Sequence, residues 1–193
     1  MKTLIVSTIV PFLLIIGARS ATCGQALNTR HLAVTGTVRP MLAAHLTQDT
    51  LQLDTVISPG VYTSTIPIIL SGETNNPPLT ISFRSETPDG NLSSEAADYL
   101  PTFYAIAPSG SPPPDIQGPR RRWMSGKNLC SSVEEIQSKT CEMNIYVKAY
   151  RPSGKQPSMR KKKYSTRIIA TVSDKNSNNI SSMEFTLWTE AAN

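Results

Sequence analysis

Two runs of cations, each with an aromatic residue beside it, are the side chains in this sequence best suited to chemistry. Arg120-Arg121-Arg122-Trp123 with Lys127 forms one, and Arg160-Lys161-Lys162-Lys163-Tyr164 with Lys155 and Arg167 forms the other. Cationic groups next to a ring suit polyanions such as sulfated or sialylated glycans, lipopolysaccharide or anionic lipid. Arg120, Arg121, Arg122, Arg160, Lys161, Lys162 and Lys163 are therefore the candidate anionic-surface residues. The plainer reading of the same runs is solvated loop charge that keeps a β-rich chain soluble. Catalysis has little to draw on. The two histidines, His31 and His45, support neither a metal cluster nor a Ser-His pair. Gly-x-Ser-x-Gly, a phosphate-cradling glycine loop and Cys-x-x-Cys are all missing. The 14 carboxylates are scattered, and the adjacent pair Glu134-Glu135 would point apart on a helix. We expect no enzyme, no cofactor and no metal.

The chain has three cysteines, which in an exported protein suggests one disulfide and one remainder. Cys130 and Cys141 are ten residues apart, and Cys141 opens the best strand of the sequence on its inward face. A Cys130–Cys141 bridge is the expected pair, contributing about 3 kcal/mol in the chain-entropy model.

Export is read from the start of the chain. Lys2 precedes an apolar run from Leu4 to Ile16, and Ala18-Arg19-Ser20 offers small residues where a signal peptidase reads. Residues 1–20 are the expected signal peptide, which leaves 173 of the 193 residues. Losing Lys2 and Arg19 lowers the net charge from +5 to +3. The apolar share falls from 39% to about 36%, enough for one ordinary core. Beyond the signal, no apolar stretch reaches the ~20 residues of a membrane helix. An exported compartment also disfavours nucleic acid as a partner.

The elements that must position these residues are strands, because the dominant pattern alternates with period two. Cys141, Met143, Ile145, Val147 and Ala149 share one face of the cleanest strand. Leu79, Ile81 and Phe83 form a second apolar face, Ile168, Ala170 and Val172 a third, and Met183, Phe185 and Leu187 a fourth. Leu51–Val56, Val61–Leu70 and Leu100–Ala107 are weaker runs. Pro67 cannot donate to a ladder and makes its run an edge or bulged strand, while Pro101 marks the start of its own. Turn clusters lie at Ser58–Gly60, Gly72–Pro78, Pro88–Asn91, Pro152–Gly154 and Asp174–Asn179. Ser131–Ser138 is long enough for at most two helical turns, and the Pro-rich Pro108–Pro119 reads as an extended surface loop. The expected fold is all-β, an immunoglobulin-like antiparallel sandwich of seven or eight strands with Greek-key connections.

Residues 31–40, His-Leu-Ala-Val-Thr-Gly-Thr-Val-Arg-Pro, place Leu32, Val34, Gly36 and Val38 on one face. Taken alone, this is an ordinary first strand. With Leu42 and the polar approach to Leu51–Val56, however, it resembles the opening of chaperone–usher pilins of the coli-surface-antigen, or colonization factor, class. Those chains begin with an alternating strand of the form apolar-Thr-Val-Thr-small-x-Val-x-Pro. The match has specificity over about twelve residues. The classical ending, with a penultimate aromatic and a glycine about fourteen residues from the end, is absent: this chain ends Trp188-Thr-Glu-Ala-Ala-Asn193.

The resemblance implies an incomplete sandwich that is completed by a neighbour's strand, with backbone pairing giving affinity and alternate side chains setting register. It implies Leu32, Val34, Gly36 and Val38 as the donor residues, 21–40 as the extension and 41–193 as the pilin domain. Its partners would be neighbouring fimbrial subunits, a periplasmic chaperone, an outer-membrane usher and host surface glycans, with export through the periplasm to the cell surface. The competing reading is a monomeric secreted β-sandwich that binds anionic glycans or surfaces through its basic loops and keeps residues 31–40 as its own strand.

Overall fold

A computed structural model describes residues 39–64, 66–87, 89–96, 98–116, 123–153, 162–176 and 178–191. The chain divides into Met1–Arg39 and a compact unit, Pro40–Asn193. In that unit thirteen strands and one short helix form two packed sheets. The all-β sandwich is as expected. The strand number is higher because long apolar runs are cut into short pieces by Pro67, Pro101 and the turns.

The first sheet is ordered β1 (Leu42–Leu46), β4 (Ile68–Thr74), β11 (Thr140–Arg151), β8 (Thr102–Pro108) and β9 (Met124–Ser125). β3 (Gly60–Thr63) continues the line of β4: β11 pairs Ile145 with Ile68 and, further on, Lys148 with Thr63. Pro67 sits at the break between these two half-strands, where a missing N–H does no harm. The second sheet runs β10 (Val133–Ile136), β5 (Leu79–Ser85), β12 (Lys162–Asp174), β13 (Ile180–Ala191) and β2 (Thr50–Gln52). β6 (Leu92–Ser93) and β7 (Tyr99–Leu100) lie off the end of β5 against β12. All pairings between strands are antiparallel except that of β2 with β13, which is parallel, with Leu51 opposite Leu187.

Alternation fills the core. Met143, Ile145, Val147 and Ala149 of β11 face Leu79, Ile81 and Phe83 of β5, Ile168, Ala170 and Val172 of β12, and Phe185 and Leu187 of β13. Each large side chain removed from water contributes about 1.5–3 kcal/mol. Buried hydroxyls find partners: Thr166 Oγ1 meets Ser85 Oγ at 3.2 Å, and Thr189 Oγ1 donates to the Asp54 carbonyl at 2.7 Å. Tyr104, buried in β8, donates from its hydroxyl to the Gly90 carbonyl at 2.6 Å. Burial pushes its phenol well above the ordinary value, so the hydroxyl stays a donor.

Three expectations change. The segment read as two helical turns from Ser131 is the edge strand β10. The helix lies just before it, as α1 (Gly126–Ser131), with the Ser125 hydroxyl accepting from the Asn128 amide at 3.3 Å. Gly72 lies inside β4 and not in a turn, because a Cβ there would stand 2.9 Å from the Cys141 sulfur. Finally, the Cys130–Cys141 bridge is not formed and both thiols are free. Cys130 meets the backbone of Ser85, at one end of β5. Cys141 lies opposite Gly72, which is beside Leu79 at the other end. Six residues of strand separate those ends, roughly 20 Å, whereas a disulfide needs Cα atoms within about 7 Å. Burial pushes both thiols up, away from the reactive thiolate.

Candidate functional site

The sandwich has one edge where a single segment serves both sheets. β1 closes the first sheet against β4. The chain then crosses over, and β2 closes the second sheet against β13. Beyond β2 the Leu53 amide donates to the Trp188 carbonyl at 2.9 Å and the Val56 amide to the Glu190 carbonyl at 2.8 Å. Several backbone edges stay open among the described strands, among them the outer sides of β1, β9 and β10, of Ile180–Phe185 in β13, and of β3, whose Thr63 carbonyl accepts from the Asp54 amide at 3.1 Å. Such rows of donors and acceptors are where a further strand can add. Ile57, Val61 and Ile66, exposed at 66%, 44% and 63%, flank the β3 edge. The donor residues Leu32, Val34, Gly36 and Val38 lie outside the described residues.

A half-open pocket of about 160 Å³ lies on the solvent face of the first sheet, lined by Val61, Phe103, Trp123, Lys148 and Tyr150. Strand register assembles it. Tyr150 stands opposite Val61 across β11 and β3, and Lys148 opposite Phe103 across β11 and β8. Two consecutive carbonyls of the Pro-rich loop tie down the other walls: Asp115 accepts from the Trp123 indole at 3.0 Å, and Ile116 from the Lys148 ammonium at 2.9 Å. The ammonium also lies 4.3 Å from the centre of the Trp123 ring. Three aromatic faces and a fixed ammonium make a surface on which a ring-shaped group can stack. Of this set, sequence reasoning singled out Trp123 alone. The missed signal was Tyr146, Lys148 and Tyr150 in succession on the polar face of β11, where rings serve no core.

Of the basic runs, Arg120–Arg122 and Arg160–Lys161 lie outside the described residues, while Lys162 and Lys163 open β12. These two line a polar hollow with Ser93, Ser94, Glu95 and Ser165. Both already have partners in the chain. Lys162 donates to the Asp98 carboxylate at 2.6 Å, and Lys163 lies 4.9 Å from the Trp188 ring centre. Lys162 is thus paired with a carboxylate of the chain, whereas Lys163 is exposed and keeps its charge beside the ring. No group of three or more metal-ligating side chains occurs among the described residues.

The hydrogen bond to Asp98 raises the Lys162 pKa above its ordinary 10.5. A raised folded-state pKa means stability that is fully present below the unfolded value and lost as pH rises through the folded one. Denaturant unfolding of the wild type and of Lys162→Met is therefore expected to differ at about pH 9 and to converge as pH rises through the lysine's raised folded-state value, where its charge is lost in both states. A constant difference across that range would show that the ion pair contributes nothing.

No protein-family model matches the chain, and no curated protein matches it. Among solved structures it is similar to the CooA pilin subunit of enterotoxigenic Escherichia coli, with a TM-score of 0.43 and 13% identity over 77% of this chain and 97% of that one. It is similar to the CssB subunit of colonization factor CS6 of the same organism, complemented with a donor strand from CssA, at TM-score 0.42 and 11% identity over 78% and 97%. It is also similar to a family 123 glycoside hydrolase of Clostridium perfringens, at TM-score 0.42 and 13% identity over 79% of this chain and 27% of that one.

Proposed function

We propose that the chain is an exported subunit of a surface fimbria, and that residues 32–38 join it to a neighbouring subunit by strand addition. One observation carries this reading. Every described strand of the sandwich lies between Leu42 and Ala191, and the core is built among the described residues of that stretch, while a segment with the alternation of an inserting strand precedes them. An alternating strand gains twice from a partner with an unfilled sheet. Its backbone groups are paired, and Leu32, Val34 and Val38 leave water. Gly36 gives the receiving backbone room for close approach. A periplasmic chaperone would hold the subunit before assembly, an outer-membrane usher would pass it outward, and adhesion would follow from display on the cell surface. No catalytic step, metal or cofactor belongs to this reading. The alternative is a monomeric sandwich that binds anionic glycans through its basic loops; of the cations it would use, Lys162 is already paired with Asp98.

Replacing Leu32, Val34 and Val38 together by aspartate is expected to abolish incorporation into detergent-resistant surface fibres. The purified sandwich should keep its unfolding midpoint. Fibres that still contain the substituted chain, detected by immunoblot of unheated samples, would end this reading.

A further inference from the structure

We infer that the aromatic pocket on the solvent face of the first sheet is a carbohydrate site that takes one pyranose ring of a cell-surface glycan. Such a site would supply the contact through which the fibre read above adheres, and it does not depend on strand addition.

A single apolar residue on the wet face of a strand is ordinary, whereas a group of them around a hollow marks a contact surface. Alternation brings this group together. In β3 it is Tyr62 that packs into the core, which turns Val61 outward, and in β8 the buried Tyr104 leaves Phe103 on the other face. Tyr150 follows Ala149 out of the core in β11 and stands opposite Val61, the two being 40% and 44% exposed.

Size limits the occupant. The pocket holds about 160 Å³, and an engineered cavity of about 150 Å³ takes up one benzene ring. Sites for drug-sized ligands begin at ~300 Å³. One six-membered ring therefore fits.

The Lys148 ammonium in the wall decides what kind of ring. Filling the pocket strips water from that charge, and a purely apolar occupant gives nothing in return. A pyranose carries C–H groups on its faces and oxygens around its rim. It can lie against Phe103 and Tyr150 while an oxygen accepts from the ammonium, and the Tyr150 phenol adds a group able to donate or accept. The walls are set before anything binds. The Ile116 carbonyl holds Lys148 and the Asp115 carbonyl holds Trp123, so little rotamer freedom is left to lose on binding.

The test is saturation-transfer NMR on the full exported chain, with the methyl glycosides of galactose, glucose, mannose, N-acetylglucosamine, fucose and sialic acid as probes and p-cresol as an apolar ring for comparison. Transfer to at least one glycoside is expected. Val61→Arg, which lays a long side chain across the mouth, should abolish it, and Tyr150→Ala should weaken it roughly threefold to tenfold. Both positions are exposed, so the unfolding midpoints should not move, and either variant alone decides if the other fails to fold. Lys148→Met distinguishes the sources: a loss confined to the sialic acid glycoside identifies an acidic ring, and a similar loss for the others a neutral one. Transfer to no glycoside, or transfer unchanged in the folded variants, would overturn the inference. So would binding of p-cresol alone, which would make the pocket a seat for an aromatic side chain. A dimer that Val61→Arg breaks, with no glycoside bound, would make it an interface between copies and overturn the inference as well. None of these outcomes touches incorporation into fibres, and loss of the fibre reading with glycoside binding intact would leave the site standing.

Discussion

Substituting Gly126 by alanine is expected to destabilise the sandwich by at least about 3 kcal/mol, because the new methyl group has nowhere to go. A Cβ at Gly126 would stand 2.3 Å from the Asp89 carbonyl oxygen and 2.6 Å from the Gly90 Cα. Both obstacles are backbone, so no side chain can swing aside. The contact is reciprocal, since a Cβ on Gly90 would meet the Gly126 Cα at 2.8 Å, and Gly90 has φ +63°, where an L side chain is strained in any case. Two glycines thus dock the start of α1 onto the turn after β5, and the same turn accepts the buried Tyr104 hydroxyl. Opening this contact frees the helix, the turn and the tyrosine together. Urea unfolding should show a large fall in midpoint for Gly126→Ala and a much smaller change for Gly60→Ala as a comparison, where a Cβ meets nothing within 4 Å. Equal effects at the two sites would show that close approach is not what Gly126 serves.

The second large effect is expected at Phe185. This ring is 1% exposed on β13, in register with Ile168 of β12. Truncation to alanine leaves a cavity between the sheets and is expected to cost about 3–5 kcal/mol. For a domain of this size that corresponds to a fall of roughly 6–20 °C in unfolding midpoint. Ser182 is an exposed position on the same strand, and its replacement by alanine should change stability by less than about 0.5 kcal/mol. Calorimetry on the two variants separates burial from strand membership. A Phe185→Ala protein as stable as Ser182→Ala would mean that β13 is not packed into the core as described.

The parts of the molecule that were legible in advance are those where one face of a strand is buried and the other is wet. Leu79, Ile81 and Phe83, or Met143 to Ala149, alternate because the sandwich forces them to, and period two records it. β10 lacks that record. It is an edge strand with Val133 64% exposed, and the three-residue spacing of Val133 and Ile136 resembles a helical stripe. The six-residue α1 is too short to show a stripe, and its one local cue is Ser125 as an N-cap. The cysteine spacing was uninformative for a related reason: ten residues of intervening chain hold a helix end and an edge strand, which carry the two thiols to opposite ends of β5. The aromatic pocket escaped notice because it depends on register across three strands. Val61, Phe103 and Tyr150 are far apart in sequence, and only pairing to β11 makes them neighbours. The donor segment stands differently, since it was read from the sequence and lies outside the described residues.

The parallel pairing of β2 with β13 matters most when the molecule is pulled. Tension that enters through the N-terminal segment and is resisted at the C-terminal end draws these two strands in opposite directions along their own axes. The amides of Thr186, Leu53 and Val56, which bond to Asp49, Trp188 and Glu190, then bear load side by side. Bonds loaded in this way must break together, whereas an antiparallel hairpin pulled at its open end unzips one bond at a time. A seam of only a few residues can therefore act as a mechanical clamp, and its strength is set by the rate at which the whole patch shears.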